Sequence, residues 1–298
     1  MPKTVRSNLS SLVEDIYSIL GTGKATDVVD ENSLKKLGES IASHVKKALE
    51  VYKPRDYLSA SMLGSPCDRK TWFQYHFPNL SEGIPGHTKL KFLLGHIHEE
   101  IILALAEWSG HEVQLRQHEV SVNGVPGHID AVIDGELVDV KSANSRGMQK
   151  FRTHSLSTDD PFGYLTQLDF YRKGLQDGTV LRDPRTQTFI ASDKELGHIV
   201  LDRYQRTASD DTKLIETIER KQKVVASTDM PERGFRDVEF GRSGNMALDT
   251  QCKYCEFKNK CWPGLRTFLY AKGPVFLTKV KVLPDVPEVT VNSDDTFE

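Results

Sequence analysis

The chain has 298 residues, is 38 % hydrophobic and carries 39 Lys and Arg against 42 Asp and Glu. That length supports one large domain or two small ones with a sizeable core, and no apolar run is long enough to span a bilayer. The net charge of −3 gives no hint of nucleic acid, but residues 282–298 hold five acids and no base, which leaves the body at +2 and sets an acidic end against a mildly basic body.

Residues 1–55 read as polar and helical. Glu31-Asn32-Ser33 predicts the start of a helix that carries Leu37, Ile41, Val45 and Leu49 at steps of four and stops by Pro54. A second helix is expected over 89–108, closed by Ser109-Gly110. The period then falls to two. Strands are expected at 118–122 and 127–132 around Asn123-Gly124, and at 136–141 directly after Asp134-Gly135, a dipeptide that favours a two-residue hairpin turn. A helix over 162–175, ending near Asp177-Gly178, precedes short strands at 186–192 and 198–201. A charged amphipathic helix over 210–226 and a Pro/Gly-rich loop over 230–244 follow. This order predicts an α/β domain with a small mixed sheet.

The hairpin carries the first chemical constellation. Alternation puts Asp139 and Lys141 on one face of their strand. If the Asp134-Gly135 turn closes normally, Asp130 lies nearly opposite Asp139. Two facing carboxylates repel unless a cation sits between them, and a hard divalent ion suits such an oxygen site. Lys141 would then place an ammonium beside the ion, able to orient or deprotonate water and to offset charge on a phosphate. Ordinary solvent-facing charges would give the same Asp-x-Lys pattern.

Two helices add to it. Glu99 shares a face with Ile102, Leu103 and Ala106, where a carboxylate needs a partner, whereas His96, Glu100 and Glu107 are expected together on the solvent side. Gln167 and Tyr171 stand at i and i+4, either donating hydrogen bonds to a phosphate or forming a plain surface pair.

All four cysteines fall in the pattern Cys67 … Cys252-x2-Cys255-x5-Cys261. Met1-Pro2-Lys3-Thr4 leads into polar sequence without an apolar signal core, so a reducing compartment is expected, where clustered cysteines more often bind metal than oxidise. Four thiolates complete a shell for zinc or for an iron–sulfur cluster. The five-residue interval and the remote fourth ligand are awkward for a zinc ribbon and no obstacle for a cluster.

Taken in order, Cys67 after Leu58-Ser59-Ala60-Ser61-Met62-Leu63, Gly95-x3-Glu99, Asp130, Asp139-x-Lys141, Gln167-x3-Tyr171 and the cysteine triplet resemble the iron–sulfur branch of the PD-(D/E)XK nuclease superfamily. That branch includes the RecB-like nuclease domains of AddB-type helicase–nucleases and the CRISPR-associated and phage exonucleases. The resemblance covers about residues 56–265. It implies a restriction-endonuclease-like α/β core, a small mixed sheet flanked by helices, with a four-cysteine segment joining the N- and C-terminal parts. The domains expected are an N-terminal helical region (1–55), a nuclease domain (56–270) with its iron–sulfur segment at 245–265, and an extension with the acidic tail (271–298).

The resemblance further implies a 4Fe–4S cluster on Cys67, Cys252, Cys255 and Cys261. It implies Mg²⁺ or Mn²⁺ on Asp130, Asp139 and the main-chain carbonyl of Val140, with Lys141 catalytic and Gln167 and Tyr171 positioning DNA. Where many relatives carry Gly-x3-His-Glu, the spacing here puts Glu99 at the histidine place with His98 one step before it, and Asp139 stands where many have Glu. Glu99 is preferred as the helix ligand. The activity implied is a metal-dependent deoxyribonuclease, an exonuclease acting on DNA ends or single strands, in a bacterial or phage-infected cytoplasm. Its implied partners are DNA and a helicase, recombinase or single-strand-binding protein, with no membrane.

Arg69, Lys70, Arg146, Lys150, Arg152, Arg172, Lys173, Lys253, Lys258 and Lys260 flank the motifs and would line a backbone-tracking groove. Trp72, Trp108 and Trp262 read as core. The stretch 292–298 looks like the acidic, aromatic-ended tails of single-strand-binding proteins, or is a solubilising end. Two other functions stay open: a non-catalytic nucleic-acid-binding protein whose cysteines hold structural zinc or a cluster, and the same hydrolytic site acting on RNA.

Overall fold

A computed structural model describes residues 8–22, 29–51, 55, 57–81, 86–176 and 178–289. The expected tail at 292–298 and the expected stops at Pro54 and Asp177 lie outside these residues. In chain order the elements begin with α1 (Leu12–Thr22), α2 (Glu31–Leu49), α3 (Ala60–Leu63), α4 (Asp68–His76) and α5 (Gly86–Trp108). Then come β1 (Val113–Gln114), β2 (Glu119–Val122), β3 (Val125–His128), β4 (Ala131–Ile133), β5 (Glu136–Ala143), α6 (Ser145–Arg152), α7 (Tyr164–Gly174), β6 (Thr186–Asp193), β7 (Ile199–Gln205) and α8 (Ala208–Ala226). The last are β8 (Val238–Phe240), β9 (Asn245–Ala247), α9 (Thr250–Lys253), α10 (Lys258–Cys261), β10 (Arg266–Tyr270), β11 (Gly273–Lys279) and β12 (Glu288–Val289).

The chain divides into two compact units: Met1–Lys53, Leu58–Gly64 and Ile84–Gln222 form the first, and Pro54–Tyr57, Ser65–Gly83 and Lys223–Glu298 the second. The first unit is built on a mixed five-stranded sheet in the order β1-β4-β5-β6-β7, with helices on both faces, as the α/β reading expects. Only β5 and β6 run parallel, and the crossover between them carries α6 and α7. All eight residues of β6 are buried, the mark of a strand covered on both sides. On one face Ile16 of α1 and Ile102, Leu103 and Ala106 of α5 pack on Ala131, Ile133, Val138, Val140 and Ile190. Alternation turns Leu137, Asp139 and Lys141 to the other face, where Phe151 and Tyr164 meet Phe189.

The hairpin between β4 and β5 closes as expected, because Asp134 (φ 51°) and Gly135 (φ 76°) both adopt the left-handed conformation of a two-residue turn. The strand expected over 127–132 is instead two. Val125–His128 pairs with β2 in a separate ribbon, and Ala131–Ile133 enters the main sheet. The break falls at Asp130, whose side chain takes the Val140 N–H. The cap of α2 is Asp30, one residue before the expected start, accepting from Ser33 N–H at 2.7 Å.

The second unit holds an antiparallel sheet in the order β12-β10-β11-β9-β8, cored by Ala247, Phe268 and Leu277. Residues 230–244, read as loop, contain β8, and residues 266–289 supply three strands that the sequence did not announce. Beside this sheet Trp72 and Phe73 of α4 pack with Phe257 in a small aromatic cluster, Phe73 stacked on Phe257 at 5.3 Å. Trp72 is buried as expected, its indole N–H donating to the Ser227 carbonyl at 2.9 Å. Among the described residues no helix is long and apolar enough to cross a membrane.

Candidate active site and cysteine site

The hairpin register brings the carboxylates together. Ala131 faces Val138, so Asp130, one step before, stands across from Asp139. Asp130 Oδ2 accepts the Val140 N–H at 2.8 Å, which ties its side chain to the partner strand. Asp139 is 1 % exposed, and the Lys141 ammonium lies 2.7 Å from its Oδ2. That contact is an ion pair off the line of a well-formed hydrogen bond, so Asp139 Oδ2 is buried with no donor aligned on it.

Three carboxylates meet here without enough positive charge. Burial, then the charges of Asp139 and Glu99, push the Asp130 carboxyl well above the usual carboxylate range, against the pull of Lys141 and the Val140 N–H. Asp139 is raised chiefly by burial, with Lys141 opposing and Glu99 adding to the rise. Burial works against the charge of Lys141, yet Asp139 and Asp130 outweigh it and hold the ammonium above its ordinary range.

Glu99 reaches this cluster from α5, buried as its apolar face predicts, with Gln117 Nε2 donating to Oε1 at 2.6 Å. His98 points elsewhere, to Ser192 Oγ at 2.7 Å, and its pKa is lowered by burial and by the Lys194 charge. Glu100 corrects the expectation of a solvent-facing carboxylate: it is buried, its Oε1 3.2 Å from Nε2 of His44 on α2. Gln167 Nε2 donates to Tyr171 Oη at 2.8 Å. The Tyr171 hydroxyl is buried, and burial followed by the Asp139 and Asp130 charges raises its pKa. The pair therefore borders the carboxylates.

Two residues here escaped the sequence reading. Tyr164, at the start of α7, lies over Lys141 with Nζ 4.9 Å from the ring centroid. Its place seven residues before Tyr171, two helical turns along one stripe, was the available signal. Gln117 carried none, since it sits in an irregular link at φ 51°.

The second unit gathers all four cysteines, none of them in a disulfide, around one small cavity that Arg69, Lys70, Arg233, Lys258 and Trp262 also line. Asp68–His76 brings Cys67 as the residue capping α4, while Cys252, Cys255 and Cys261 come from the two short helices α9 and α10 and the turn between them. Burial, partly offset by the Trp262 indole N–H and reinforced by Cys67 and Cys261, pushes the Cys252 thiol up to about 11. Cys255 is pushed up to about 12 by burial, with its neighbours Glu256 and Cys67 contributing. Arg69 Nη1 stands 3.7 Å from Cys261 Sγ, and Arg233 donates to the Cys261 carbonyl at 2.8 Å.

Among the described residues no group of three or more His, Cys, Asp or Glu side chains is set as it would be around a single metal ion. Both donor sets nevertheless suit a cation. One is a crowd of buried carboxylates with an oxygen lacking an aligned donor; the other is a set of four half-buried thiols around one cavity with a basic wall.

No family model and no curated protein matches the sequence. Among solved structures the chain is similar to SSO0001, at 14 % identity and TM-score 0.43, over 75 % of this chain and 95 % of that one. It is also similar to LHK-Exo in complex with dAMP, at 13 % identity and TM-score 0.34, over 63 % and 92 %. A further likeness is to the alkaline exonuclease LHK-Exo from Laribacter hongkongensis, at 13 % identity and TM-score 0.29, over 72 % and 94 %. Identities and scores this low carry no assignment of activity.

Proposed function

We propose that this chain is a divalent-metal-dependent deoxyribonuclease of the PD-(D/E)XK type, an exonuclease on DNA ends or single strands, with a 4Fe–4S cluster on its four cysteines. The observation that carries the reading is the convergence of Asp130, Asp139 and Glu99 across one hairpin and one helix, with the Lys141 ammonium beside Asp139. Such buried like charges are costly without a cation. Mg²⁺ or Mn²⁺ would be held by Asp130, Asp139 and the Val140 carbonyl, with Glu99 beside them. A divalent ion there supplies Lewis acidity and positive charge toward water and the phosphate.

The chain's own groups do the rest. The register of β4 and β5 fixes the two aspartates, and the Val140 N–H holds Asp130 in its rotamer. Lys141, held protonated by its neighbours, donates hydrogen bonds and charge to a phosphoryl oxygen rather than taking a proton. Gln167 and Tyr171, already bonded to each other, offer an amide and a hydroxyl to the adjacent phosphate. The cysteine set has no acid–base partner of this kind, and its proposed role is structural, holding Ser65–Gly83 with the C-terminal strands inside the second unit. DNA is the proposed substrate, in company with a helicase, recombinase or single-strand-binding protein.

End-labelled single- and double-stranded DNA is the test, incubated with anaerobically purified protein in Mg²⁺, Mn²⁺ or EDTA beside Lys141→Ala. The expected outcome is cleavage that EDTA abolishes and the substitution lowers about 10²–10³-fold, with a product ladder of mononucleotides or short ends. Binding without cleavage in every metal would replace the nuclease by a non-catalytic nucleic-acid-binding protein, and cleavage of RNA alone would change the substrate class.

A further inference from the structure

Beside the carboxylate site stands an aromatic ring that no part of that chemistry uses. Phe162 is 62 % exposed although the residues around it are fixed in place. Asp160 accepts from the backbone N–H groups of Tyr164 at 3.0 Å and Leu165 at 2.8 Å, and its carbonyl takes the Gly163 N–H at 3.3 Å. Gly163 has φ 69° and lies so close to Gly64 that a Cβ on it would fall 2.3 Å from the Gly64 backbone. A Cβ on Gly64 would in turn meet the Gly163 carbonyl at 2.6 Å. Two glycines in backbone contact and a doubly bonded aspartate thus hold an apolar ring in water, where exposure of so large a side chain has no folding benefit.

The ring's neighbour says what it is for. Phe162 packs against Tyr164 with centroids 5.5 Å apart, and the Tyr164 ring covers the Lys141 ammonium at 4.9 Å. Phe162 therefore flanks the position where a phosphodiester would meet Lys141, one ring further out. A nucleobase attached to that phosphate offers a flat π-face of matching size, and stacking on an aromatic ring is tolerant of base identity.

We propose that Phe162 is a stacking platform for an unpaired nucleobase of the strand whose phosphate lies at Lys141, so that the site engages single-stranded or frayed DNA. This rests on the nuclease reading and adds a positioning residue to it. A paired base has both faces covered by its neighbours in the duplex, so the platform selects ends and single strands.

The test uses the full chain with three substitutions, Phe162→Ala, Phe162→Leu and Phe162→Trp, each checked for an unchanged melting temperature. With single-stranded oligonucleotides in the active metal, Phe162→Ala is expected to raise KM about tenfold with kcat nearly intact. Phe162→Leu, apolar but without a π-face, should behave like Phe162→Ala. Phe162→Trp should keep the wild-type KM, and in EDTA its extra emission should be quenched saturably by oligo(dT) and less by an oligomer of abasic residues. A wild-type KM in Phe162→Leu, or unchanged KM in Phe162→Ala with no quenching in F162W, would overturn the platform while cleavage leaves the nuclease standing. Neither binding nor cleavage by the wild-type chain would remove both.

Discussion

The carboxylate site is a buried crowd of like donors and the cysteine site a half-buried one, and the two are assembled in opposite ways. Asp130 and Asp139 are nine residues apart, and a two-residue turn with a strand register sets their positions. Cys67 and Cys252 are 185 residues apart and stand on short helices and turns with few ladder bonds around them. Closing the longer loop costs on the order of 3 kcal/mol more than closing the shorter one. The first site is therefore positioned by the fold. The second has no strand register to fix it, and under the proposed cluster the metal would help to hold these segments together.

The largest effect should come from breaking the second site. Replacing Cys252 or Cys255 by Ser is expected to abolish visible absorption and to cost about 3 kcal/mol or more, roughly 6–12 °C in Tm for a chain of this size. Limited proteolysis should open sites in the second unit, between residues 230 and 289, before any in the first. If the serine variants melt like the wild type, the cysteine set is not structural. Next in size is the chemical site. Lys141→Ala and Asp139→Asn should each lower kcat about 10²–10³-fold while leaving Tm within a few degrees, as read from initial rates on end-labelled DNA and from thermal melts. A collapse of Tm in those variants would erase the contrast between the two regions.

What the sequence disclosed follows the same division. The turn at Asp134-Gly135, the alternation from Leu137 to Lys141 and the apolar face under Glu99 are local patterns, and each placed its side chain where the structure has it. Glu100 went astray because its partner, His44, lies on a helix 56 residues earlier, and no local pattern records such a pairing. The strand expected over 127–132 failed at Asp130, where a side-chain bond to Val140 N–H ends one ladder and lets the chain enter another. In the second sheet β8 and β9 have three residues each and β12 two, too short for a period to declare itself, while the longer β10 and β11 were not read from the sequence. The gathering of the cysteines was expected from their chemistry and from the family likeness, but the aromatic cluster of Trp72, Phe73 and Phe257 beside them was not.

A smaller effect sharpens the picture of the first site. Gln167→Ala removes one neutral hydrogen-bond donor, worth about 0.5–1.5 kcal/mol, and should lower kcat/KM by about threefold to tenfold. Tyr171→Phe should match it, and the double variant should fall short of the product of the two, because the side chains already share a bond. Full additivity in initial rates would mean that the two contact different phosphates.

The smallest effect concerns stability and carries a definite sign. In metal-free protein the Asp130 and Asp139 carboxyls sit above their unfolded values, because burial and mutual repulsion disfavour their charge. A raised acid binds its proton more tightly when folded. Its stabilising contribution is therefore present at low pH and fades as pH rises from the ordinary aspartate range, near about 3.9, through the raised folded values. Metal-free protein should accordingly melt higher at mildly acidic pH than at pH 8, a slope opposite to that of a salt-bridged carboxylate. Asp130→Asn, which keeps shape and removes one charge, should flatten the slope and raise Tm in EDTA by a few degrees. Saturating Mg²⁺ or Mn²⁺ should flatten it too, since a cation favours the ionised carboxylates. The cysteine site should respond in reverse: burial holds the Cys252 and Cys255 thiols at about 11 and 12, protonated across this range without metal, and because the proposed cluster binds thiolates, the Tm it contributes should grow as pH rises. Melting curves at several pH values, with and without EDTA and with the cluster intact or removed, separate the two responses. A metal-free Tm that rises from pH 5 to pH 8 would mean that the Asp130 and Asp139 carboxyls are not raised in the folded chain.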